Sequence, residues 1–136
     1  MPDPAQPEAA PTPGEVRLGF GLVLLLTVLL CLWGAFLVPL RVDTTRVPVS
    51  LLVAGVGNVL LGRAGGRLLG TPGVLVPGML WLLLAYLLGS KRSEGDLVVP
   101  GDLIGTLFLA VGTLGFGIAY ALTAARRTSP APPSGR

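Results

Sequence analysis

The sequence predicts an all-α integral membrane protein, a bundle of four transmembrane helices in two antiparallel hairpins. Three observations carry this expectation. Of the 136 residues, 51% are hydrophobic and only 12% are charged, against about 25% charged in an ordinary soluble domain. The mean hydropathy is +0.76. The apolar residues gather into four runs near the roughly 20 residues a helix needs to cross about 30 Å of hydrocarbon. Runs such as Leu22 to Leu26 or Leu80 to Leu84 lack the alternation expected of β-barrel strands.

Taken in order, residues 1–16 hold Pro2, Pro4, Pro7, Pro11 and Pro13 among Ala, Gln and Glu. Such a composition buries too little apolar surface to fold, so a disordered N-terminal tail is expected. This acidic, proline-rich start lacks the basic region of a signal peptide, and the first apolar run reads as a retained helix. That run, 18–38, carries no charge. The second, 47–62, is short and contains Asn58, with Arg63 and Arg67 beside it able to snorkel. The third, 68–89, begins with Thr71, Pro72, Gly73 and then Pro77, which predicts a bent or partly unwound start. The fourth, 103–125, is again uncharged, and Asp102 just ahead of it reads as an N-cap. Residues 17–126 thus form the transmembrane domain, and 127–136, with Pro130, Pro132 and Pro133, form a second disordered tail. Short connections over 39–46, 63–73 and 90–102 make consecutive helices antiparallel neighbours.

Charge sets the orientation. Nine of the ten cations are Arg, the net charge is +3, and the basic residues lie singly or in pairs between apolar runs. They form no patch, so a nucleic-acid partner is not expected. With the N-terminus cytoplasmic, Arg17, Arg63, Arg67, Arg126, Arg127 and Arg136 fall inside. Arg41, Arg46, Lys91 and Arg92 fall outside, diluted by Asp43, Glu94, Asp96 and Asp102. The positive-inside rule therefore favours a cell-membrane protein with both termini cytoplasmic. Trp33 and Tyr86 suit the outer interface and Phe20 the inner one. Trp81 falls near mid-depth, where its N–H needs a partner.

Catalytic signals are scarce. The chain has no histidine and a single cysteine, Cys31, which removes intramolecular disulfides, Cys-x-x-Cys sites and histidine-dependent chemistry. No span contains Asp or Glu, so a proton relay of the multidrug-exporter kind is not expected. Neither cofactor nor metal is expected. Glu94, Asp96 and Asp102 share one loop, but their spacing does not match an EF-hand. Recognition rests instead on polar and small residues within the spans. Asn58 is the one strongly polar side chain deep in a span, and it needs either a neighbouring helix or a water-lined cavity. In the fourth span Thr113, Gly117, Ala121 and Ala125 recur every four residues, and Thr106, Thr113 and Tyr120 every seven. Together they predict a face buried against protein. Asn58, Thr113, Gly117 and Tyr120 are the candidate intramembrane packing site. A faint internal repeat would align Leu32-Trp33 with Leu80-Trp81, and Val56-Gly57-Asn58 with Val111-Gly112-Thr113.

The string Pro48 to Asn58 (PVSLLVAGVGN), Trp81-Leu82-Leu83-Leu84 after Pro77-Gly78, and Glu94-Gly95-Asp96-Leu97-Val98-Val99 resemble an uncharacterised family of small four-helix membrane proteins from high-GC actinobacteria. The resemblance implies the fold over most of residues 17–125 and assigns no catalytic or binding residue. A lesser similarity, Asn58-Val59-Leu60-Leu61-Gly62, is to fluoride channels, whose third-helix threonine and phenylalanine motifs are absent from Trp81 to Gly89. The sequence points to a non-enzymatic accessory or assembly subunit that acts by helix–helix packing among membrane lipids, as a homo-oligomer or against a larger membrane protein. A small channel or transporter with Asn58 in the bundle core is the alternative.

Overall fold

A computed structural model describes residues 10–37, 41–42, 45–46, 49–89 and 103–128. Among them are four α-helices, α1 (Pro13–Leu37), α2 (Val49–Leu69), α3 (Thr71–Gly89) and α4 (Leu103–Thr128), each long and apolar enough to cross a membrane. The shortest, the 19-residue α3, is roughly 28 Å long at a rise of about 1.5 Å per residue. Between α1 and α2, within the connection expected over 39–46, β1 (Arg41–Val42) and β2 (Thr45–Arg46) form a small antiparallel ribbon.

The start of α1 is set by a capping box. The Thr12 N–H donates to Glu15 Oε2 at 2.6 Å, and the Glu15 N–H donates to Thr12 Oγ1 at 3.3 Å. Pro13 takes the first helical position, where its missing N–H costs nothing. The Thr12 backbone N–H, and after it the Thr12 hydroxyl, hold the Glu15 carboxyl below the usual carboxylate range. Glu15 lies ahead of the uncharged run that starts at Leu18. The helix therefore begins inside the segment 1–16 expected to be disordered. Residues 1–9 and 129–136 lie outside the described residues, as do Asp102 and the acidic loop over 90–102.

The junction of α2 and α3 differs from the expected loop over 63–73. Hydropathy falls after Gly62, but Arg63, Ala64, Arg67, Leu68 and Leu69 are good helix formers, and α2 continues through them to Leu69. Only Gly70 separates it from α3. Gly70 has φ 66°, the left-handed conformation that ends helices, and its N–H donates to the Gly66 carbonyl at 2.9 Å. The start of α3 is helical from Thr71 onward, not unwound, because Pro72 sits in the first turn where no helical N–H is required. Pro77 removes the donor that would serve the Gly73 carbonyl. That oxygen lies against Gly65 of α2, and the Gly65 carbonyl lies against Gly73 in return, a reciprocal approach that only two glycines permit.

Packing inverts the usual distribution of sizes. The buried positions hold Cys31, Gly34 and Ala35 of α1, Ala54, Gly62 and Gly65 of α2, Gly73 and Ala85 of α3, and Gly112, Gly115 and Ala119 of α4. Large buried side chains are few, chiefly Trp81 and Phe108, whose rings meet at 5.3 Å with a 50° tilt. Many leucines point outward on every helix, among them Leu22, Leu52, Leu60, Leu83, Leu107 and Leu114. The pairs Gly55 with Val111, Gly62 with Ala119, and Gly66 with Thr123 advance together along both helices, so α2 and α4 run side by side in the same direction.

Candidate functional site

The buried edge of α2 is Ser50, Ala54, Asn58, Gly62 and Gly65, a spacing of three or four that keeps them on one face. Asn58 is fully buried, and its Nδ2 donates to the Gly112 carbonyl of α4 at 3.0 Å. The approach is possible because α4 offers glycine there. A Cβ on Gly115 would stand 2.9 Å from the Gly55 carbonyl and 3.0 Å from the Asn58 Cβ, and a Cβ on Gly112 would stand 2.7 Å from Trp81 Nε1. Gly112 thus receives Asn58 from α2 and the indole of Trp81 from α3.

Three buried polar atoms in the described residues have no hydrogen-bond partner, namely Asn58 Oδ1, Trp81 Nε1 and Ser50 Oγ. Each such atom costs about 1–3 kcal/mol in desolvation unless something satisfies it. The N–H that the sequence left in need of a partner at Trp81 is therefore buried and unpartnered. The threonine hydroxyls are committed locally. Thr27, Thr113 and Thr123 each donate to the carbonyl four residues earlier, at 2.8 Å in all three cases. Among the described residues no group of three His, Cys, Asp or Glu side chains converges. Cys31 is a buried free thiol in the small-residue core.

The four expected site residues are not one cluster. Asn58 faces inward, whereas Thr113, Gly117 and Tyr120 are exposed, together with Thr106, Ala121 and Ala125. The face of α4 that was expected to be buried is the outer face of this chain. The buried stripe is Gly105, Phe108, Gly112, Gly115, Phe116 and Ala119. The helix carries two small-residue stripes, and the one that also bears Phe108 and Phe116 turns inward, because those rings fill the space that the glycines of α1 and α3 leave. Phe108 packs against Gly34 and Phe116 against Gly78. That aromatic company was the available signal for Gly112 and Gly115. On the outer side, Thr113, Gly117 and Tyr120 line an open groove of about 230 Å³ with Gly78, Met79 and Leu82 of α3.

Trp33 and Tyr86 are exposed, at 71% and 72%, near the C-terminal ends of α1 and α3, whereas Trp81 is at 0%. The proposed equivalence of Trp33 with Trp81, and of Asn58 with Thr113, is therefore not matched by their surroundings. Compared with known proteins, the chain matches no family model, no curated sequence and no solved structure.

Proposed function

We propose that this chain is a multi-pass cell-membrane protein whose helices cross the bilayer as two antiparallel hairpins with both termini cytoplasmic, and that it serves as a small non-enzymatic accessory or assembly subunit. The inverted packing supports the membrane reading. Leucines exposed on all four helices make an apolar surface with no counterpart on a water-soluble monomer, whose largest patch is about 300–600 Å², and lipid accepts it. The close pairs Gly65 with Gly73 and Gly78 with Phe116 support hairpin pairing of neighbours. The resemblance of PVSLLVAGVGN and its companion strings to the actinobacterial four-helix family belongs to the same proposal.

One observation carries the assembly role: the ridge Thr113, Gly117, Ala121 and Ala125 lies on the outside of the bundle. Lipid contact has no use for small side chains at four-residue spacing, whereas close helix–helix association does. The occupant of this ridge is a second copy or a larger membrane protein. Purification in mild detergent with mass spectrometry and light scattering tests this. A stoichiometric partner or a discrete oligomer is expected, and Gly117→Leu, which adds bulk to the ridge, should release it without loss of helical content. A monodisperse single chain unaffected by Gly117→Leu refutes the assembly role.

The second reading is a small channel or transporter centred on Asn58, favoured by the unpartnered Asn58 Oδ1 and Trp81 Nε1. Asn58→Leu separates the two. Lost flux in liposomes with assembly intact supports transport, and lowered stability or association with no flux in either protein supports packing.

A further inference from the structure

At the C-terminal ends of α2 and α4, Arg63 and Arg67 of α2 and Arg126 of α4 line a cleft of about 60 Å³ together with Gly66 and Thr123. Three arginines thus line one small opening. The only acidic side chain among the described residues, Glu15, is turned back onto Thr12, so no described carboxylate neutralises them. Arg127, the fourth cation at this end, lies against Gly70 at the end of α2, close to the carbonyls that a helix C-terminus leaves exposed.

The same two helices form an apolar groove of about 420 Å³ that includes Val56, Val59, Leu114 and Ile118. It continues the edges of the cleft, because Val59, Arg63 and Arg67 are four apart on α2, and Leu114, Ile118, Leu122 and Arg126 are four apart on α4. Leu52, at the far end of the groove, lies roughly 16 Å from Arg63 along the axis at about 1.5 Å per residue. One leaflet of hydrocarbon is about 15 Å deep.

From this juxtaposition we propose that the α2–α4 seam binds one anionic phospholipid, its phosphate held by Arg63, Arg67 and Arg126 and an acyl chain laid along the groove. The inference rests on the membrane reading above. Guanidinium forks bind phosphate oxygens in pairs, and basic clefts between helices at the cytoplasmic side are suited to lipid headgroups. A free phosphate would use the three arginines and leave the groove unexplained. A neutral lipid would use the groove and leave the arginines unexplained.

The test is the full chain reconstituted in nanodiscs of phosphatidylcholine containing a minor fraction of phosphatidylglycerol, with retained lipid counted by native mass spectrometry. One phosphatidylglycerol per chain is expected in excess of its share of the bilayer. Arg63→Gln and Arg126→Gln should each lower that retention about fivefold, the effect of one cation near a membrane surface. Arg17→Gln, which removes an equal charge outside the cleft, should leave retention unchanged. Ile118→Trp, which fills the groove and keeps all three arginines, should lower retention as well. Circular dichroism of each variant separates lost binding from lost folding. Equal retention of the two lipids, equal effects of Arg17→Gln and Arg63→Gln, or displacement of the lipid by inorganic phosphate overturns the proposal. Failure of the wild-type chain to enter the nanodisc at all overturns the membrane reading itself.

Discussion

Replacing Gly112 by alanine adds one methyl group at the point where Asn58 and Trp81 both reach α4. The new carbon falls 2.6 Å from Trp81 Cε2 and 2.7 Å from Nε1, inside the 3.0 Å that real Cβ contacts respect. The indole has nowhere to go, since it is fully buried and tilted against Phe108. Overpacking of this kind costs about 1–3 kcal/mol. Alanine returns up to about 1 kcal/mol through its helix propensity, but any retreat of α4 stretches the 3.0 Å bond from Asn58, and side-chain bonds between helices of membrane proteins are worth about 0.6–1.7 kcal/mol. The expected net loss is about 1–3 kcal/mol. Gly21→Ala is the matched control, because nothing stands within 4 Å of its added carbon, and it should be neutral or stabilising by up to about 1 kcal/mol. Reversible unfolding in mixed micelles, followed by circular dichroism, measures both. Trp81→Leu should recover stability in the Gly112→Ala background relative to its effect in the parent, a coupling of at least about 1 kcal/mol. Equal stabilities of Gly112→Ala and Gly21→Ala would falsify the placement of Trp81 over Gly112.

Gly70→Ala forces an L-residue to φ 66°, at a cost of about 1–2 kcal/mol, and displaces the Arg127 guanidinium from the end of α2; the same micelle assay should register that loss, whereas Gly21→Ala, with open space around it, should not. Thr12→Ala removes the cap of α1, and hydrogen exchange at the Glu15 and Val16 amides should accelerate while exchange beyond Leu22 stays slow. The Thr12 amide, which donates to the Glu15 carboxylate, reports pH: the folded Glu15 carboxyl titrates below its usual value, so the protection it gives is complete above the ordinary carboxylate range and disappears as pH falls through the lowered folded value. Protection that instead rose on acidification would refute the capping box.

How much of this was legible depended on which physical signal each residue carries. The uncharged runs from Leu18 and from Leu103 marked α1 and α4 plainly, because charge in hydrocarbon is costly. The continuation of α2 past Gly62 was not visible in hydropathy, which marks where a helix is apolar and not where it stops. Gly70 carried the stop, but it stood among Gly62, Gly65, Gly66 and Gly73, and composition cannot say which glycine bends the chain and which ones let helices touch. The Thr12–Glu15 box was readable by its spacing, yet it lay within proline-rich sequence that reads as tail. Asn58 was singled out correctly as a buried polar group, while its partner was invisible, since a backbone carbonyl has no side chain to announce it. The stripe Thr113, Gly117, Ala121 and Ala125 reads as a face buried against protein and lies on the outside of this chain, and that Gly112 instead turns inward is not visible until Phe108 and Phe116 are counted with it.

The choice of a main-chain acceptor for Asn58 has a genetic consequence. No substitution at position 112 deletes that carbonyl, so a partner is removed only from the donor side, and replacements at 112 act on the bond through their volume alone. Position 58 therefore accepts residues that keep a donor, position 112 accepts residues that keep the gap, and the two requirements vary independently. A search for paired changes between α2 and α4 would pass over the contact that joins them most specifically, whereas saturation mutagenesis of the two sites would expose it as one site sensitive to chemistry and one sensitive to size.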